Sequence, residues 1–180
     1  MFYVINNNQV YCKSNNIESL LSYENILELE NITVDYFNNN IDKYKIINNK
    51  LTDISQTPEY IAEQLKKAKE IKIQENAQKR DEHLLAGVIY KDVLFDSDTD
   101  SKANLLFAAS GMDDTQTVIW LGKDNQPLEC NKQDIYNIGA TIGAMTVDVW
   151  SVKNPYYLQA IENAKTLEEL QAIVIDYEAE

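Results

Sequence analysis

The chain has 180 residues, 44% hydrophobic and 25% charged, which suffices for one ordinary domain or two small ones with a packed core. A net charge of −13 repels phosphate backbones and anionic lipid, which argues against nucleic-acid binding and a membrane-surface role. No apolar run approaches the ~20 residues of a membrane span, so no membrane insertion is expected. The opening residues carry no basic segment ahead of an apolar one, so no signal peptide is expected either. Cys12 and Cys130 lie far apart, with no Cys or His at ligand spacing, and read as free thiols of a reducing compartment rather than metal ligands.

In chain order, Phe2 to Ile5 and Gln9 to Cys12 flank Asn6-Asn7-Asn8 and predict a hairpin, because asparagine tolerates the left-handed backbone of tight turns. Residues 15–31 are ambiguous: Ile17, Leu20 and Leu21 have helical spacing, while Ile26 to Leu29 fits a strand. Thr33 to Phe37 reads as a short capped helix. A second hairpin follows, Tyr44 to Ile47 against Lys50 to Ile54 around Asn48-Asn49. Residues 1–55 thus form a small β-rich module.

Thr57-Pro58 then opens a helix, with threonine as N-cap and proline at the first helical position. Nothing breaks it from Pro58 to Ala86, a span of roughly 40 Å. Ile61, Ala68 and Ile71 can share a seam, but Gln64, Glu75, Gln78 and Glu82 stand where a coiled coil wants apolar residues. Two readings stay open for residues 56–86: a polar strut connecting two modules, or a weak oligomer seam. Gly87 marks the helix end.

Residues 87–180 read as an α+β domain. Val88 to Tyr90 and Val93 to Phe95 make a hairpin around Lys91-Asp92, a turn pair that does not favour positive φ. Asp98 or Thr99 caps a helix to Ser110 that buries Leu105, Leu106 and Ala109. Thr117 to Leu121 is a strand, and Leu128 to Cys130 returns beside it with Pro127 marking an edge. Asn131 to Asp134 resembles a capping box. Behind it Ile135, Ile138, Ile142, Met145 and Val149 form the strongest apolar stripe of the chain. Asn154-Pro155 restarts a helix through Tyr157, Leu158 and Ile161. A box at Thr166 to Glu169 opens a last helix carrying Leu170, Ile173, Val174 and Tyr177.

No constellation points to chemistry, and no catalytic, metal or cofactor residue is assigned. Asp96, Asp98 and Asp100 begin like a calcium loop, but its glycine and glutamate places hold Ser101 and Phe107, which leaves a helix cap. His83, the single histidine, sits among Arg80, Asp81 and Glu82 and reads as an exposed helix position. Five scattered glycines build no phosphate loop. With 29 acidic residues, chance carboxylate pairs are expected. Trp120, Trp150 and the tyrosines read as core or interface before they read as a sugar-binding face.

Residues 79–176 resemble a domain of unknown function found near the C-terminal ends of bacteriophage tail-fibre and tail-associated proteins. The features that carry this are Lys79-Arg80-Asp81, Gly87 to Tyr90, and Phe95 followed by Asp98 and Ser101. Asn104-Leu105, Val118 to Trp120, Asp124-Asn125, Leu128 and the segment from Ile161 to Leu170 complete it. The chain lacks the glycine usual in the first hairpin turn and has Ala144-Met145 where that helix often carries histidine. Residues 37–51 look like segments that precede this domain in prophage tail genes. The resemblance implies a structural subunit of a tail fibre or baseplate, without enzyme activity or cofactor. It would be made in the bacterial host cytoplasm, assembled into the virion tail, and bound to other phage tail proteins. Trimeric fibres would give the 58–86 helix partners in a homotrimer. The alternative is a tail-fibre assembly chaperone, and a receptor-binding lectin or carbohydrate-active enzyme ranks behind it.

Overall fold

The computed structural model describes residues 2–6, 9–14, 26–28, 39–47 and 50–178. The expected helix at Thr33 to Phe37 and the Asn48-Asn49 turn lie outside the described residues. The fold is α+β and divides into two compact units, Met1–Lys66 and Lys67–Glu180.

In the first unit, β1 (Phe2–Asn6) is the middle strand of a three-stranded sheet between β2 (Gln9–Ser14) and β3 (Ile26–Glu28). Both neighbours are antiparallel, and a register shift between Val4 and Ile5 marks a bulge on the β2 side. β4 (Tyr44–Ile47) and β5 (Lys50–Asp53) form the second hairpin, with Tyr44 opposite Asp53. Tyr44 and Ile54 are buried. The helix α1 (Pro58–Ala86) begins as the sequence predicts, with the Tyr60 N–H donating to Thr57 Oγ1 (3.3 Å) and the Tyr60 hydroxyl to Asp42 (2.8 Å). It supplies residues 58–66 to the first unit and 67–86 to the second.

The rest of the second unit begins at the C-terminal end of α1. Gly87 adopts φ +102°, and a Cβ there would lie 2.4 Å from the Phe95 carbonyl oxygen, so only glycine fits. The last carbonyls of α1, which lack intrahelical partners, are taken by side chains. Ser97 donates to Leu84 O (2.6 Å), and Lys123 donates to Leu85 O (2.7 Å) and Ala86 O (3.1 Å). The two hairpins thus close the helix end. They are β6 (Val88–Tyr90) with β7 (Val93–Phe95), and β8 (Thr117–Leu121) with β9 (Pro127–Asn131). Between them runs α2 (Thr99–Gly111), capped by Asp98, whose carboxylate accepts from the Asp100 and Ser101 N–H groups. Lys91 and Asp92 both take positive φ, 47° and 63°, so the unfavourable pair is accommodated in a mirror-image two-residue turn.

α3 (Lys132–Asp148) carries the expected capping box between Asn131 and Asp134. Its stripe of Ile135, Ile138 and Ile142 packs with Leu105, Ala109 and Met112 of the α2 segment, Val88, Val93 and Phe95 of the first hairpin, and Cys130. Each fully buried isoleucine stabilises by about 1.5–3 kcal/mol. Leu106, expected in this core, is 62% exposed: it points along the α2 flank rather than inward.

The α3 helix passes without a break through one π-helical turn, Val149–Lys153, into α4 (Asn154–Asn163). The Asn154 N–H reaches Val149 O, five residues back, and Pro155 follows without a donor of its own. The extra residue re-phases the helix. A regular continuation from Val149 would turn Val152 and Tyr156 inward, yet both are exposed, while Asn154, Tyr157 and Ile161 are buried. Leu158, on the same helix, is 38% exposed.

The last helix is short, α5 (Leu167–Gln171). Thr166 caps it, but Glu169 reaches back to the Lys165 N–H rather than to the cap residue itself. Ile173, Val174 and Tyr177 do not continue it: residues 173–176 have no regular secondary structure and 177–178 form a bend. Ile175 and Tyr177 turn inward and Val174 is 75% exposed, an alternation of period two. Tyr177 donates to Asn76 Oδ1 (2.9 Å) and Asn76 Nδ2 donates to Asn154 Oδ1 (2.9 Å), with all three side chains buried.

Three expectations follow. Gly87→Ala lowers unfolding free energy by about 1–3 kcal/mol, because an alanine is forced into positive φ against a carbonyl. Gly143→Ala, at an open helical site, raises it by about 0.5–1 kcal/mol. Asn76→Ala removes one bond each from Tyr177 and Asn154, leaving only their direct bond (3.3 Å), and costs about 1–3 kcal/mol. Urea titrations of the three variants check these values.

Candidate functional site

Most residues that might carry chemistry prove to be engaged in structure. Asp98 is the α2 cap, and the Ser101 hydroxyl on its carboxylate holds its pKa below the usual range. Asp96 faces Lys123 at 3.7 Å. Among the described residues no group of three or more His, Cys, Asp or Glu is placed to hold a metal ion. His83 is half-buried rather than exposed, because the C-terminal segment lays Tyr177 beside it, ring centroids 5.9 Å apart. Cys130 is a free, fully buried thiol, and desolvation pushes its pKa up, which keeps it protonated and inert. The thiol of Cys12 falls outside what the structure describes. Trp120 packs on the core, whereas Trp150, on the π-helical turn, is 47% exposed with the Arg80 guanidinium 4.4 Å from its ring centre.

One polar knot was half visible in the sequence. The capping box placed Asp134 at the α3 N-terminus, but its other partners come from the first hairpin, more than forty residues earlier. Lys91 Nζ lies 2.6 Å from Asp134 Oδ1, the Tyr90 hydroxyl donates to the same oxygen (2.9 Å), and the Asn131 N–H donates to Oδ2 (3.1 Å). Asn137 Nδ2 in turn donates to the Tyr90 hydroxyl (3.1 Å). The Lys91 bond, first, then the Asn131 and Tyr90 donors hold the Asp134 carboxyl below its ordinary pKa, against the burial that would raise it. The same bond raises Lys91. With every oxygen engaged and the site closed by the hairpin turn, the knot can pin the turn to the helix.

Two concavities among the described residues differ in character. An apolar groove of about 340 Å³ runs between α2 and α3, with Leu105, Ala109 and Ile135 in its floor and Leu106 and Tyr136 on its rim. Gly139 and Ala140 keep that side of α3 low. Phe107, 74% exposed, stands on the outer face of α2 beyond it. Ile119 and Leu121 are exposed on β8. The second is a polar cleft of about 490 Å³ between Lys79, Glu82 and His83 of α1 and the segment from Val174 to Glu178. Among the described residues no helix is long and apolar enough to cross a membrane.

The Asp134 knot has a definite pH signature. A carboxyl depressed in the folded state contributes stability above its unfolded pKa of about 3.9 and loses it as pH falls through the folded value. A raised lysine contributes below about 10.4 and loses it as pH climbs through its folded value. Asp134→Asn therefore costs a constant amount, about 1–3 kcal/mol, across the interval between them, and the deficit shrinks in acid below about pH 4. Denaturation of both forms from pH 3 to 9 reads this out.

Residues 67–179 match the family described as "Domain of unknown function (DUF4376)", a span that contains the stretch 79–176 and begins inside α1. No curated protein and no solved structure matches the chain. The matched span coincides with the second compact unit, from the polar half of α1 through both hairpins to the segment after α5. The chain therefore belongs to the DUF4376 family.

Proposed function

We propose that the chain is a structural subunit of a bacteriophage tail or phage-tail-like particle, in the tail fibre or baseplate, and that it works by contact with other tail proteins. The observation that carries this reading is the apolar surface of the second unit. Leu106, Phe107, Ile119 and Leu121 are large apolar side chains left more than half exposed. Such exposure is the mark of a protein–protein surface when it extends beyond scattered single residues. The resemblance of residues 79–176 to tail-associated domains supplies the class of partner. On this reading the chain is made in the host cytoplasm and ends in the virion tail.

The long helix fits the same reading as a homotrimer seam. Ile61, Ile71 and Leu85 of α1 are about half exposed or more. With glutamines among them, such a stripe favours weak, register-specific association over a tight coiled coil. Light scattering at tens of micromolar should give three times the chain mass; a clean monomer counts against the seam.

Phe107→Ser tests the apolar surface. An exposed substitution leaves unfolding free energy within about 0.5 kcal/mol. Removal of an interface anchor lowers incorporation into purified particles by about tenfold or more. Mass spectrometry of washed particles separates the alternatives. A chain present at stoichiometric level is a subunit, whereas one absent from particles whose fibres need it is an assembly chaperone.

A further inference from the structure

The inner face of α2 packs on the core, and its outer face carries Leu106, 62% exposed, and Phe107, 74% exposed. The residues beside these two on that face are small. Ala103 stands one turn before them and Ser110 one turn after, and the Ser110 hydroxyl is turned back onto Leu106 O (2.8 Å). From Ala103 to Met112 the segment carries no charge, although a quarter of the chain's residues are charged. Two exposed charges of opposite sign bracket this run, Lys102 and Asp113. Neither forms an ion pair among the described residues, whereas the neighbouring Asp114 is held by Lys132 at 3.2 Å. Lys102 and Asp113 are eleven residues apart, close to three helical turns, which puts them on one flank of the element. Phe107 lies midway between them.

We propose that the outer face of α2 binds a second copy of this chain, antiparallel, with Leu106 and Phe107 at the centre and Lys102 of each copy paired with Asp113 of the other. A two-fold axis that crosses α2 at Phe107 lays one helix on its copy in reverse direction. An isologous contact of this kind exchanges its two ends, so each lysine meets an aspartate and the two pairs are made at once. The small residues at Ala103 and Ser110 leave room for the large side chains of the facing copy. A net charge of −13 opposes contact between copies, and the stretch without acids is where that repulsion is least. The inference rests on the reading of this apolar surface as a protein-contact face and names the partner of its α2 part; it needs no phage particle.

One helix face buries less than the ~1,200–2,000 Å² of stable interfaces, so the association is weak and is followed by sedimentation of the full chain up to about 0.3 mM. Lys102→Glu and Asp113→Lys test the pairing. An acid near the start of α2 and a lysine past its end both suit the helix dipole, so neither variant should lower the urea midpoint. Each variant alone sets like charges against each other twice across the contact and should associate about tenfold or more weakly than the unaltered chain. An equimolar mixture of the two should regain the association of the unaltered chain, because both cross-copy pairs are then opposite in sign again. Any seam along α1 is the same in every sample, so the comparison holds whatever it contributes. Net charge alone predicts a different pattern: Asp113→Lys makes the chain less negative and would strengthen association. That result overturns the proposal. So does a mixture no tighter than its two parts, or an unaltered chain whose association does not rise with concentration. These measurements use the purified chain only, so their failure leaves the tail reading to the particle-incorporation test.

Discussion

The second unit depends on one buried polar contact, the chain of hydrogen bonds from Tyr177 through Asn76 to Asn154. Asn76 is 1% exposed and is the only buried residue of the 29 in α1. A helix this polar has no apolar stripe with which to dock, and the structure does not give it one. It is held instead by donors and stems: Lys69 to Glu162 O (2.6 Å), Lys79 to Ile175 O, and Arg80 over Trp150. Such contacts are individually weak at the surface. Asn76 makes the register unique, because a slip of one residue would bring Glu75 or Ala77 to face Asn154 and leave buried polar groups unpaired. The asparagine thus selects one arrangement more than it adds net stability, as single buried polar residues do in coiled coils.

That contact explains the π-helical turn. Without the extra residue, the helix that begins at Lys132 would carry its apolar stripe on to Val152 and Tyr156, and Asn154 would turn away from α1. One looser turn, placed just ahead of a proline that could not donate anyway, rotates Asn154, Tyr157 and Ile161 into the interior. The donor lost at Pro155 is thereby placed where the hydrogen-bond ladder is already widened. The same rotation brings Lys153 and Tyr157 to the carbonyls of the C-terminal segment. The bulge is therefore what lets one helix serve the hydrophobic core with its first half and the polar contact with its second.

These dependencies set what could be read from the chain alone. Caps and two-residue turns are local, and they were legible: Thr57, Asp98, Asn131 and Thr166 cap their helices, and both hairpins of the second unit sit where they were expected. The stripe from Ile135 to Ile142 was legible because burial there follows an unbroken period. The inward turn of Asn154 was not legible because a period cannot reveal an inserted residue, although Asn154-Pro155 was the signal that the ladder changes. Leu170, Ile173, Val174 and Tyr177 fit helical spacing, yet Ile175 and Tyr177 fit period two just as well; the competition was decided by distant lysines. Asn76 was invisible, since apolar patterning says nothing of a buried amide. His83 looked exposed because its neighbours in sequence are charged, and its neighbour in space is a tyrosine 94 positions later by number (177 − 83 = 94). Lys91 could not have been paired with Asp134 by any local rule.

Within an apolar core the unit also buries a few polar groups, and it leaves several large apolar side chains outside. Asn76, Ser97, Asp134 and Asn154 are buried, while Leu106, Phe107, Ile119 and Val174 stand in solvent. Each inner polar group is matched by a named partner, so the interior is specified by direction as well as by volume. Each outer apolar group lacks that direction and gains from any dry surface of complementary shape. A fold whose register is fixed from within can present such a face without rearranging when a partner arrives, which keeps the ordering cost of association low. On the reading proposed above, partner specificity would rest on the shape of the α2–α3 groove.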